Sequence, residues 1–140
     1  MRNISVVHVI AVRHRYFMAK ILIAEDEPSL YALLEFRFHA LGHEILRATD
    51  GEQALALVEA DRPDLVLLDM MMPVMGGIEV LSTLKKDEST KSIPVIMLSA
   101  KGQEKDIFTG LERGADDYIT KPFGFPDLVD RINKFLASIK

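Results

Sequence analysis

From residue 20 onward, short apolar runs alternate with longer stretches whose apolar residues recur every three or four positions. Ile21–Ala24 and Leu65–Leu68 are apolar at every position, and Ile93–Leu98 is broken only by Pro94. Runs of this length, without polar alternation, are the pattern of strands buried on both faces of a parallel sheet. His43–Ala48 is partly polar and reads as an edge strand, and Asp117–Thr120 supplies a fifth. Between them lie helical spacings. Pro28 suits a first turn and is followed by Leu30, Leu33, Leu34, Phe38 and Leu41, with Gly42 as the stop. Asp50 with Gln53 three residues on opens a second helix carrying Ala54, Leu57 and Val58, which ends before Pro63. Ile78, Leu81 and Leu84 mark a third; Ile107, Phe108 and Leu111 a fourth, stopped by Gly114. Leu128, Ile132, Phe135, Leu136 and Ile139 form a closing helix. Strand and helix alternating in this way predict an α/β fold, a parallel sheet covered on both faces.

The strands end in chemistry. Ile21–Ala24 runs into Glu25 and Asp26, Leu65–Leu68 into Asp69, the fourth run into Ser99, and the fifth into Lys121. In an open α/β sheet, ligands bind outside the carboxyl ends of the strands. Three carboxylates, a hydroxyl and an ammonium are therefore expected on one edge. A carboxylate following so apolar a strand as Leu65–Leu68 is costly unless a cation balances it. Hard oxygen ligands in small number suit Mg²⁺, which keeps water and phosphate oxygens in its shell. A nucleophilic carboxylate, a metal clamp and donors for phosphoryl oxygens are the parts of an in-line phosphoryl transfer to aspartate. Blander roles exist for each residue alone. Glu25 or Asp26 could cap the helix at Pro28, Ser99 could be a helix cap, Tyr118 a half-buried aromatic and Lys121 a surface lysine. The methionines at 70–72 are expected to pack against the third helix.

Composition narrows the context. With 140 residues the chain can bury one real core. The absence of cysteine excludes disulfides and thiolate metal sites and fits a reducing, cytoplasmic setting. The four histidines, at 8, 14, 39 and 43, lie away from the acidic edge, which disfavours a histidine metal site. Residues 18–140 carry 14 basic against 21 acidic side chains, an acidic body that argues against direct nucleic-acid binding. No apolar run approaches the ~20 residues of a membrane span. Residues 1–17, with Arg2, Arg13 and Arg15 and no acid, read as an extension ahead of a natural start at Met18, disordered or a start-site artefact. Residues 18–140 are then the single domain.

ILIAEDEP at 21–28, LVLLDMMMPVMGG at 65–77, PVIMLSAKG at 94–102 and GADDYITKPF at 114–123 resemble, in order and spacing, the receiver domain of bacterial two-component response regulators. The resemblance covers residues 18–140. It implies a flavodoxin-like, doubly wound five-stranded parallel sheet in the order 2-1-3-4-5 with five helices. It implies that Asp69 accepts a phosphoryl group from a sensor histidine kinase or phosphotransfer protein. Mg²⁺ would be bound by Asp26, Asp69, the backbone carbonyl of Met71 and, through water, Glu25. Lys121, ahead of a cis bond to Pro122, would contact the phosphoryl oxygens. Ser99 and Tyr118 would move together and remodel the surface of the fourth helix, fifth strand and fifth helix, which binds an unknown protein target.

Three positions depart from that pattern. Gly76 replaces an expected aspartate and predicts a looser loop with an intact site. Met71, whose side chain would face the phosphoryl group, cannot orient an attacking water, so slow self-dephosphorylation is expected. Ile107 replaces an expected basic residue, which leaves a salt-bridged dimer through Asp116, Asp117, Asp127 and Arg131 in doubt and predicts a monomer or weak dimer. The sequence expectation is a stand-alone switch and not an enzyme. A phosphorelay intermediate without direct output is an alternative. An aspartyl-phosphate hydrolase is disfavoured, since Met71 occupies the place of its second carboxylate. A passive binding module is disfavoured too, because it has no need to keep Asp26, Asp69 and Lys121 together.

Overall fold

The uninterrupted apolar runs become the interior strands of one sheet. The computed structural model describes residues 18–100 and 102–137; the expected extension, residues 1–17, lies outside the described residues. Among the described residues, five strands pair in parallel in the order β2-β1-β3-β4-β5. They are β1 (Lys20–Ala24), β2 (Glu44–Ala48), β3 (Leu65–Asp69), β4 (Val95–Ala100) and β5 (Asp117–Lys121). The helices between and after them are α1 (Pro28–Ala40), α2 (Gly51–Asp61), α3 (Gly77–Lys86), α4 (Glu104–Glu112) and α5 (Phe125–Leu136).

Neighbouring side chains on a strand point to opposite faces, so each interior strand feeds two cores. Ile21, Ile23, Leu65, Leu67, Ile96 and Leu98 pack with Leu34 and Phe38 of α1 and Leu128 and Ile132 of α5. Leu22, Ala24, Val66, Leu68 and Met97 pack with Ala54 and Val58 of α2 and Val80, Leu81 and Leu84 of α3. This is the doubly wound sheet expected from the pattern. Ile107 is partly buried against the second cluster, whereas its neighbour Phe108 and Leu111 are exposed.

Strand limits differ from the apolar runs for identifiable reasons. β4 begins at Val95 because Pro94 has no N–H to offer; its carbonyl still accepts from Val66. At its other end β4 continues through Ser99 and Ala100, which pair with Thr120 and Lys121. β2 starts at Glu44 because His43 closes α1 instead, its N–H donating to the Phe38 carbonyl around Gly42 at φ 95°. The His43 Nδ1 then accepts from the Ala19 N–H, 3.0 Å away. At the amino edge of the sheet, the Lys85 ammonium reaches Asp116 at 2.9 Å and the carbonyls of Lys91 and Ile93. Asp116 also accepts from the Val95 N–H, so that pair fixes α3 to the entries of β4 and β5.

Candidate functional site

The opposite, carboxyl edge is where the strands run out into polar residues. β1 passes directly into Glu25, whose N–H donates to the Ala48 carbonyl and keeps it in line with the sheet. Its side chain turns inward and is fully buried. Both carboxylate oxygens are engaged: Oε1 accepts from the Lys121 ammonium at 2.8 Å and Oε2 from the Glu27 N–H at 3.1 Å. Asp26, the next residue, is exposed. The cap of α1 is neither of them. Glu27 takes that role, its carboxylate accepting from the N–H groups of Ser29 and Leu30 with Pro28 in the first turn.

Asp69 ends β3, 6% exposed. Its Oδ1 accepts from the Met71 N–H at 3.3 Å, and its Oδ2 lies 3.3 Å from the Lys121 ammonium. The loop that follows is seated closely beneath it. The Met70 N–H donates to Leu98, the Gly77 N–H donates back to Met70, and a Cβ on Gly77 would overlap the Asp69 carbonyl oxygen. Gly76 caps α3 without a side-chain bond. Ser99 sits on β4 one residue past Leu98, the register partner of Asp69. It is fully buried, and its Oγ is the buried side-chain polar atom left without a partner among the described residues. Lys121 closes β5, and its bond to Pro122 is cis, as expected. Tyr118 is exposed on β5, outside this cluster.

The electrostatics are unbalanced. Burial, then the neighbouring Glu25 charge, push the Asp69 carboxyl up to about 6, against the opposing pull of Lys121 and the Met71 N–H. Burial disfavours charge on Lys121, but the hydrogen bond to Glu25 and the charges of Asp69 and Glu25 outweigh it and raise its pKa. One oxygen from each of Glu25, Asp26 and Asp69 falls within a cluster spanning 4.8 Å. Three carboxylates against one ammonium leave a formal surplus of two negative charges. A divalent cation would neutralise that surplus, and Mg²⁺ suits a site of one or two direct carboxylates with water and phosphate oxygens completing its shell. The residues present therefore fit the metal.

The methionine loop differs from the sequence expectation at one position. Met70 is buried and Met72 packs against the second core cluster beside α3, but Met71 is 64% exposed. Its N–H donates to Asp69 Oδ1, which keeps its backbone beside the site. A second feature was not anticipated. A groove of about 500 Å³ adjoins Lys121, lined by Leu30, Leu33, Phe123 and Phe125 together with the charged Glu27 and Arg37. The available signal was Phe123 and Phe125, two large apolar residues directly after the edge lysine.

Comparison with known proteins agrees with the geometry. A family model described as the response regulator receiver domain matches residues 21–133. The phosphate regulon transcriptional regulatory protein PhoB of Pseudomonas aeruginosa is 47% identical over 116 residues, 83% of this chain and 51% of that protein. The alkaline phosphatase synthesis transcriptional regulatory protein PhoP of Bacillus subtilis is 42% identical over 84% of this chain and 48% of its own length. The chain thus spans about half the length of the curated relatives it matches. Among solved structures, a putative response regulator from Chloroflexus aurantiacus superposes with a TM-score of 0.81 at 33% identity, covering 85% of this chain and 98% of that one. The receiver domain of a Pseudomonas aeruginosa sensor histidine kinase, described with a magnesium ion coordinated in its active-site cleft, gives a TM-score of 0.79 at 29% identity, over 86% and 98% of the two chains. The sheet order, the acidic edge and these matches together place the chain in the response regulator receiver domain family.

Proposed function

We propose that this chain is a phosphorylation switch in which Asp69 receives a phosphoryl group from a phosphohistidine on a sensor histidine kinase or phosphotransfer protein. The observation that carries the reading is the buried, under-neutralised Asp69 carboxylate beside Glu25, Asp26 and Lys121. Asp69 Oδ2 or Oδ1 attacks phosphorus, the phosphorus–nitrogen bond breaks, and the imidazole departs. Lys121 holds charge against the equatorial phosphoryl oxygens, and Ser99 Oγ, lacking another partner, donates to one of them. Glu25, Asp26, Asp69 and the Met71 carbonyl would hold Mg²⁺, which supplies positive charge at the phosphoryl oxygens when bound. Glu25 acts from behind, because both its oxygens are already engaged. The groove along α1 and the Pro122–Phe125 turn suits an apolar helical face of the donor protein, placed next to Lys121.

The output is a shift in the surface of α4, β5 and α5, with Tyr118 following Ser99. Exposed Phe108, Leu111 and Tyr118 support that face as the contact for a protein target. Arg131 is committed within the chain, to Asp117 at 2.9 Å and Asp127 at 3.1 Å, which supports a monomer or weak dimer in the resting state. Met71 offers no hydrogen bond to an attacking water, so the acyl phosphate hydrolyses slowly; Met71→Asn or Met71→Glu should shorten its lifetime, and an unchanged lifetime counts against this role. The acidic body of residues 18–140 argues against direct nucleic-acid binding by this domain and supports the stand-alone reading of a switch acting through protein contacts. The names of the relatives favour a second reading, in which the same switch governs a DNA-binding segment. Phosphorylation-dependent binding of promoter DNA by the chain would support the second and overturn the first.

The experiment is incubation with Mg²⁺ and a small acyl-phosphate donor. A stoichiometric label that is lost in Asp69→Asn supports the switch. Rapid multiple turnover would favour a hydrolase, and no label with a competent donor would favour a passive binding module.

A further inference from the structure

Met71 is the most exposed methionine among the described residues, at 64%, ahead of Met18 at 49%, while Met70 and Met97 are buried at 4% and 0%. Met72 and Met75 are partly buried against the second core cluster. The position of Met71 is also special. Its N–H lies 3.3 Å from Asp69 Oδ1, so its Cα, one bond of ~1.46 Å further, sits within about 5 Å of that oxygen. A methionine side chain has three rotatable bonds beyond Cα, and this one is not held in the core. The thioether can therefore swing over the phosphoacceptor.

We propose that Met71 is an oxidative modification site that sets the lifetime of the phosphorylated state. The inference rests on the reading of Asp69 as phosphoacceptor. A peroxide supplies the oxygen: a sulfur lone pair attacks one peroxide oxygen, an S–O bond forms and the O–O bond breaks. The remaining oxygen leaves with a proton as water or an alcohol; sulfur is oxidised by two electrons and the peroxide reduced by two. The product replaces an apolar thioether with a strongly accepting sulfoxide oxygen, and the change is reversible by sulfoxide reductases. At the mouth of the site that oxygen accepts a hydrogen bond from a water and orients it toward phosphorus. The water oxygen then bonds phosphorus, the bond to the Asp69 carboxylate breaks, and the water's proton passes to solvent. Reduced Met71 preserves the acyl phosphate; oxidised Met71 shortens it.

The test compares the chain before and after dilute hydrogen peroxide, with the peroxide removed before labelling by a small acyl phosphate and Mg²⁺. Peptide mass mapping should find sulfoxide at Met71 while Met70 and Met97 remain reduced. The oxidised chain should lose its label about five- to tenfold faster, the effect of one hydrogen bond. A methionine sulfoxide reductase should restore the original lifetime. Each variant is compared with itself: Met71→Leu should show no change with peroxide, and Met71→Gln, which carries a permanent acceptor, should be short-lived without it. Met71 remaining reduced while buried methionines oxidise would overturn the proposal. So would an unchanged lifetime once Met71 is fully converted, or a peroxide response in Met71→Leu equal to that of the parent. Absence of label on the unoxidised chain overturns the phosphoacceptor reading and this proposal with it, whereas normal labelling with an unchanged lifetime overturns this proposal alone.

Discussion

Two lysines tie elements of this fold together, one at each edge of the sheet, and their surroundings differ in charge balance and in hydrogen-bond completeness. At the amino edge, Lys85 meets Asp116 and two backbone carbonyls, and Asp116 is completed by the Val95 N–H. Charge matches charge, and each donor has an acceptor. At the carboxyl edge, Lys121 faces both Glu25 and Asp69, with Asp26 close by and a buried hydroxyl unpartnered at Ser99. A closed network of this kind fixes structure. An open one, short of positive charge and of one hydrogen-bond acceptor, is arranged for groups that arrive from outside.

Exchanging the two lysines' roles by mutation should separate them. Lys121→Ala should slow phosphoryl transfer to Asp69 by on the order of 10²-fold or more, the usual cost of removing a transition-state charge partner. A rate within a factor of about two of the parent would place Lys121 with Lys85 as a structural residue. Lys85→Met should leave the labelling rate unchanged but lower unfolding stability by about 2 kcal/mol, the scale of hydrogen bonds to a charged group. Denaturant midpoints with an unchanged slope would check it.

The carboxyl edge should also respond to pH. Asp69 titrates at about 6 in the folded chain, above the ordinary aspartate value of 3.8. The folded state therefore holds that proton more tightly than the unfolded state does. Its stabilising contribution is present below about pH 4 and is lost as pH rises to about 6. In metal-free buffer this should remove roughly 2–3 kcal/mol across that interval. Asp69→Asn should abolish the slope and melt higher than the parent at pH 7. Added Mg²⁺ should narrow the difference by binding the parent. The smallest effect is expected beside the carboxyl edge, at the α1 cap. Glu27→Ala should cost about 1 kcal/mol, seen as a lower melting temperature, with less than about a twofold change in labelling.

The sheet was legible because β1, β3 and β4 are buried on both faces and admit only apolar residues. The edge residues stood out because several strands end in a charge or hydroxyl on the same edge, which the capping or surface role open to each one alone does not explain. The ends of elements were less so. Pro94 passes for strand in a hydropathy pattern, although it cannot donate to the ladder. Glu27 escaped as a cap because glutamate is not among the usual capping residues and two other acids stood in front of it. Hydropathy groups Met71 with Met70 and Met72 as packing residues, yet it is exposed, with its N–H donating to Asp69. The unpartnered state of Ser99 and the surplus charge around Asp69 depend on distances across the ends of four strands, which no local pattern encodes.

Borohydride trapping locates the phosphoryl group itself, because it converts an aspartyl phosphate to homoserine at the position that carried it. After loading with Mg²⁺ and a small acyl phosphate, homoserine is expected at position 69 and unmodified aspartate at Asp26. Homoserine at another carboxylate, or trapping that persists in Asp69→Asn, would contradict it.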